Sequence, residues 1–270
     1  MKIAVFSPVH GQTGNTVTAL FLAMSMALTQ RKNICLTHTD FSSTVIQEIL
    51  GLDVTEDVTR SLSQIFKLLN SGTLMEKELV DYAINVLPGL DLYTTHNVAL
   101  EHSELVGFLE FLFNKMKIYH HTVIDVDTGA KSKTSELCLS IADTVVITVS
   151  QNYHVLRAAR ELLRDDDFQK LIKDKRVLFA VNRFNTEICK LSDVTKQLDV
   201  KTKDIILIHD NVFISRCYNK GVIEDVIKRA YQKDIRVLEL HNDIKNACRI
   251  LLGKDFIWKE NTQGRKKAND

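Results

Sequence analysis

Seven short runs of apolar, mostly β-branched residues constrain this chain more than any other feature; they lie at 3–6, 34–37, 90–94, 122–126, 144–149, 177–181 and 205–208. Their hydrophobicity is continuous and not alternating, so each predicted strand must be covered on both faces. Segments with helical periodicity, at 17–30, 105–117, 153–164 and 222–233, separate most of them. Strand, helix and strand in repetition predict a parallel sheet, and the fixed hand of such crossovers sends helices to both sides. The expected fold is α/β, a doubly wound, mostly parallel sheet between two helical layers. Residues 53–86, polar and helical in character, form an excursion between the second and third of these strands. With two prolines and neither a repeat nor a linker, the chain reads as one domain over 1–253. A polar tail over 254–270 is expected to be flexible.

Composition excludes several function classes. The formal net charge is +1 over 270 residues, so no global field recruits nucleic acid or anionic lipid. Five scattered cysteines, none in C-x-x-C spacing, read as thiols in a reducing compartment, and the expected location is the cytoplasm. No run approaches the roughly 18 apolar residues of a membrane span, so membrane contact is expected to be peripheral at most.

The first strand runs into "SPVHGQTGNT" and then a helix. Glycines there let backbone N–H groups turn toward phosphate oxygens, and the helix N-terminus adds partial positive charge. The general phosphate-loop pattern G-x-x-x-x-G-K-[ST] would need glycine at Val9 and lysine at Asn15, and it fails at both. Asn15 and Thr16 are also good helix caps, so a structural turn is an alternative reading of the loop alone.

Six segments in order resemble the ParA/MinD family of deviant P-loop ATPases. "HGQTGNT" lies on the family's K-G-G-x-G-K-T with Gly11, Gly14 and Thr16 matching, and "LTHTDF" keeps Asp40 of a D-x-D pair whose first place is His38. "TVIDVDTGA" matches an apolar strand ending in Asp125, with Gly129 on the switch glycine and Asp127 as a rival carboxylate. "ADTVVITVSQNYHVL", "FAVNRFN" and "LIHDNVFISRCYNKGV" resemble the three closing motifs. Within the family the chain looks most like the TadZ/CpaE-like pilus-assembly branch.

The resemblance implies a P-loop NTPase fold, with ATP and Mg²⁺ as cofactors. It places the nucleotide on Gly11, Gln12, Thr13, Gly14, Asn15, Thr16 and Val17, with Asn182, Arg183, Asp210 and Val212 around the adenine. Thr16 and Asp125 hold the metal, and Asp40 orients the attacking water. Asn15 removes the loop's cation, His10 replaces the family's second lysine, and His38 removes a carboxylate. Those three charge changes predict nucleotide binding with slow or absent hydrolysis.

The function so implied is an ATP-binding positioning protein, a homodimer across nucleotide, whose cargo belongs to a pilus or secretion assembly. Two alternatives are a partition ATPase binding DNA non-specifically, through Arg216 and Lys220 or through Arg229, Lys233 and Arg236, and a scaffold that has lost nucleotide. The C-terminal stretch reads as a helix with Ile244, Ala247, Ile250 and Leu251 on its apolar face. Phe256, Ile257, Trp258, Arg265, Lys266 and Lys267 follow, either packed and frayed or as a weak lipid anchor.

Overall fold

A computed structural model describes residues 1–11, 13–30, 32–41, 45–52, 60–94, 102–127 and 132–258. In chain order they form β1 (Lys2–Phe6), α1 (Asn15–Gln30), β2 (Ile34–His38), α2 (Val45–Ile49), α3 (Leu62–Asn70), β3 (Ile84–Leu87) and β4 (Leu90–Tyr93). Then come α4 (His102–Lys115), β5 (His121–Asp125), α5 (Lys133–Ile141), β6 (Thr144–Val149), α6 (Tyr153–Leu162) and α7 (Asp166–Ile172). The chain continues through β7 (Arg176–Phe184), α8 (Leu191–Leu198), β8 (Ile205–His209), α9 (Val212–Tyr218), α10 (Ile223–Tyr231) and α11 (Leu238–Leu252).

The strands form one sheet in the order β3-β4-β2-β5-β1-β6-β7-β8, parallel throughout except for β3. Each face is buried, as continuous hydrophobicity requires. On β1, Ile3 and Val5 point into a core shared with α1, α2, α10 and α11, whereas Ala4 and Phe6 point into the core under α3 to α8. The doubly wound sheet is therefore as expected. Its one strand absent from the sequence reading is β3, four residues at the antiparallel edge with only Leu87 fully buried. The excursion before it carries α3, while residues 53–59 lie outside the described part.

From β1 the chain winds outward to β2, and it later places β6, β7 and β8 on the opposite side of β1. In such sheets the direction reverses at a crevice beyond the strands' C-terminal ends, where loops from several strands converge. Asp165 caps α7, its carboxylate accepting from Asp167 N and Phe168 N.

The C-terminal helix packs through Leu240, Ile244, Ala247, Cys248 and Leu251. Packing extends past residue 253. The Trp258 ring stands 5.1 Å from His241, 5.8 Å from Tyr231 and 6.2 Å from Phe256, and Lys245 Nζ lies 5.7 Å from its centroid. The basic residues at 265–267 lie outside the described residues. Among the described residues no helix is long and apolar enough to cross a membrane. All five cysteines are free thiols, with Cys35, Cys138 and Cys248 buried.

Candidate nucleotide site

A cavity of about 740 Å³ opens beyond the C-terminal ends of β1, β2, β5, β7 and β8. It brings together Gly11, Thr13, Gly14, Asn15, Thr16, Val17, Asp40, Asp125, Asn182, Arg183 and Asp210 of the sequence-derived set. Gln12 and Gly129 lie outside the described residues. Val212 is not part of the lining; at the start of α9 it is 66 % exposed, and Asn211 and Ile214 face the cavity in its place.

The loop from β1 to α1 holds two left-handed turns, Gly11 at φ +84° and Gly14 at φ +69°. At Gly14 the constraint is double, because a Cβ there would lie 2.5 Å from Asn182 Nδ2. That amide clamps the loop, donating to Thr13 O at 3.0 Å, Gly14 O at 3.0 Å and Thr18 Oγ1 at 2.9 Å. With its amide so engaged, Asn182 has only its carbonyl oxygen left to offer a ligand. Beyond the loop, the first-turn N–H groups of the 16-residue α1 carry the partial positive charge of a long helix.

Asn15 does not point at the space a phosphate would take. Its Nδ2 donates to Asp125 Oδ1 at 2.7 Å, Val126 O at 3.0 Å and Val5 O at 3.1 Å, while Oδ1 accepts from the Thr148 hydroxyl at 2.8 Å. Both amide hydrogens are engaged, which leaves neither for a phosphate. The side chain's direction at the first residue of α1 sets this arrangement. Among the described lining residues Arg183 is the one Lys or Arg; it sits at φ +51° where the β7–β8 register shifts, a bulge that turns it outward.

Asp125 is 8 % exposed and hydrogen-bonded to Thr16 and Asn15. Burial pushes its carboxyl up to about 7; the bonds from Thr16 and Asn15 oppose the rise, and nearby Asp127 and Asp40 add to it. Asp127 lines the same cavity from an exposed position, its N–H donating to Thr39 Oγ1 at 2.8 Å. A buried carboxylate beside a hydroxyl suits Mg²⁺, which binds through one or two protein oxygens and completes its shell with water and phosphate. The residues present thus fit the metal, and they fit nucleotide phosphates through backbone and helix terminus but without the loop lysine. No cluster of three metal-binding side chains occurs among the described residues.

His38 is buried between Asp40 O, 2.9 Å from Nδ1, and Thr94 Oγ1, 2.8 Å from Nε2. A carbonyl only accepts, so Nδ1 carries the proton and Nε2 accepts from the hydroxyl. Burial lowers this imidazole to about 4, and it stays neutral. Sequence reading overlooked the opposite end of the cavity, where His209 and Tyr218 join the lining; His209 leans on buried Asp243, 34 residues away. Of the candidate DNA-binding cations, Arg229 and Arg236 both pair with Asp234, and Arg216 and Arg236 stand over the Phe213 ring.

No family model matches the chain, and no curated protein matches it in sequence. Its fold does match solved structures. MinD from Aquifex aeolicus, in a complex with MinC, superposes with a TM-score of 0.66 at 17 % identity, covering 96 % of this chain and 98 % of that one. A ParA family ATPase from Chlorobium tepidum gives 0.67 at 15 % identity over 91 % and 98 %. MinD from Pyrococcus horikoshii, solved with Mg-ADP, gives 0.66 at 16 % identity over 93 % and 97 %. The chain has the fold of the ParA and MinD ATPases.

Proposed function

We propose that this protein is a ParA/MinD-like positioning protein that binds ATP with Mg²⁺, dimerises over the nucleotide and hydrolyses it slowly or not at all. The observation that carries this reading is the single cavity on which the Gly11–Val17 loop, the Thr16–Asp125 pair and the base-end residues converge. The Pyrococcus MinD structure with Mg-ADP and a Borrelia burgdorferi plasmid partition protein bound to AMPPNP, TM-score 0.61, support it as folds that hold nucleotide.

Gly11, Thr13, Gly14, Thr16 and Val17 would cradle the phosphates, with Gln12 in the same loop. Thr16 and Asp125 would hold Mg²⁺, which neutralises phosphate charge and fixes its geometry. Asp40 would orient water, while Asn182, Arg183 and Asp210 would surround the adenine. Asn15 holds Asp125 in place. With that amide committed, transferred phosphate has no lysine to stabilise its developing charge, a loss of the kind that costs about 10²–10³ in rate.

Exposed apolar side chains support a second copy as partner. Tyr153, Ile188, Val212 and Tyr218 all follow the C-terminal ends of β6, β7 or β8, on the rim of the same face. The dimer would then present a cargo of the pilus or secretion class, as in the TadZ/CpaE-like branch, in the cytoplasm. Arg229 and Arg236 share the carboxylate of Asp234, which removes part of the charge that the DNA reading needs.

Light scattering on the full chain tests the proposal. The expected result is a monomer without nucleotide and a dimer with ATP and Mg²⁺. A mass unchanged by saturating nucleotide would count against dimerisation.

A further inference from the structure

His209 ends β8 and lines the cavity two strands beyond the one strand, β6, that separates β7 from β1. The offset from β1 is three strand spacings, about 14 Å, which puts His209 at the base end and away from the phosphates. One buried carboxylate serves it alone. Asp243 of α11, 2 % exposed, accepts the His209 backbone N–H on Oδ2 at 2.8 Å and faces Nδ1 with Oδ1 at 2.7 Å. A carboxylate so placed fixes Nδ1 as the protonated nitrogen and leaves Nε2 as the working end. Phe184 packs edge-on against the ring at 5.4 Å and limits its rotation.

We propose that His209, positioned by Asp243, is a nucleobase-reading residue that donates from Nε2–H to a ring acceptor of the bound base, so that nucleotide is held best by the imidazolium. This rests on the nucleotide reading of the cavity. An adenine edge pairs an acceptor nitrogen with a donor amine, which matches a His209 donor beside the free Asn182 carbonyl oxygen. The groups facing the ring favour its charge. From α11 come Asp243 and Glu239, the latter with Oε1 3.6 Å from Nε2; Asp210 follows in the chain, Arg183 of β7 and Tyr218 of α9 line the same cavity. The Asp243 hydrogen bond raises the histidine above its ordinary value, and partial burial opposes the rise. A helix-to-sheet tie alone would need the backbone bond but not a second bond to the ring of a residue that lines the cavity.

The test is calorimetric titration of the full chain with Mg-ATP from about pH 6 to about pH 8.5, across the histidine range, with His209→Gln and Asp243→Asn in parallel. Comparing parent with variant at each pH cancels the titration of ATP and Asp125. A charge-assisted bond predicts a parent affinity about tenfold above His209→Gln at low pH, falling toward equality at high pH. Asp243→Asn moves that fall to lower pH, because removing the anion lowers the imidazole. A parent-to-variant ratio that stays constant with pH, with both proteins binding, overturns the proposal and leaves the nucleotide reading intact. Absence of binding at every pH overturns both. If the variants do not fold, the His209 ring resonances of the parent decide: Mg-ATP must raise their titration midpoint, by reciprocity of linkage, and an unmoved midpoint overturns the proposal.

Discussion

The amide of Asn15 stands 2.7 Å from the carboxylate of Asp125, joining the first residue of α1 to the last residue of β5. The same amide reaches the carbonyls of Val5 and Val126, so one neutral side chain ties three chain segments beneath the candidate phosphate site. Where a lysine would project a charge at the ligand, this residue works as an internal brace.

Removing the brace exposes its two consequences separately. Asn15→Ala leaves a buried carboxylate and two carbonyls with fewer donors, a loss of about 1–3 kcal/mol. Urea denaturation should show the midpoint falling with an unchanged slope. Asn15→Lys restores a cation beside Asp125 and should bind Mg-ATP about tenfold more tightly, the worth of one charge-assisted bond. A folded lysine variant with the parent's affinity would mean that the loop presents this position away from phosphate even when charged.

The two loop glycines should differ. Gly11→Ala meets open space and suffers only the left-handed backbone cost, about 1–2 kcal/mol. Gly14→Ala adds a clash with the Asn182 amide, which cannot move without releasing Thr13, Gly14 and Thr18. Thermal melts should rank Gly14→Ala as clearly more damaging, with nucleotide binding lost as well. Equal shifts would show that Asn182 is not the clamp.

Acid should act through His121, at the far end of β5 from the cavity. Both its ring nitrogens are buried without partners, and burial, followed by the N-terminal amine and Lys32, lowers it to about 4. Between that value and the unfolded one near 6.5 the unfolded chain binds the extra proton. Stability is therefore full above about pH 6.5 and lost as pH falls toward about 4. Buried His38, lowered to about 4 as well, adds to the loss over the same window, so His121→Val should reduce the acid sensitivity without abolishing it; a variant as acid-sensitive as the parent would assign the loss elsewhere.

Trp258 is the chain's one tryptophan, so its fluorescence reports on the C-terminal corner alone. Held against Tyr231, His241 and Phe256, it should keep its emission maximum when anionic vesicles are added. Trp258→Ala should cost about 2 kcal/mol, below the 3–5 of a fully buried aromatic. A blue shift with vesicles would mean that the ring leaves this packing for lipid.

Much of the architecture was legible because burial on both faces leaves a continuous apolar signature, and seven of the eight strands carry it. β3 does not; Ile84–Leu87 is half exposed at an edge, and only its partner β4 gives it order. Of the candidate site, Gly11, Gly14, Thr16 and Asp125, placed by the family resemblance, line one cavity. The site was not legible where a side chain's direction decides its role. Asn15 and Asn182 line the cavity, but their amides turn inward, toward a carboxylate and toward the loop. The His209–Asp243 pair joins residues 34 apart through the packing of α11 on β8, and no local pattern announces it.

The central claim is that this cavity holds Mg-ATP despite the missing lysine. It is tested most directly by calorimetric titration of the full chain with ATP and Mg²⁺, with phosphate release followed in the same samples. The account predicts one site per chain of micromolar or weaker affinity, about −8 kcal/mol or less in magnitude, with little or no phosphate released. A melting temperature that rises with nucleotide should accompany it. No heat and no melting shift at saturating ATP would contradict the claim and leave a scaffold with an ATPase fold.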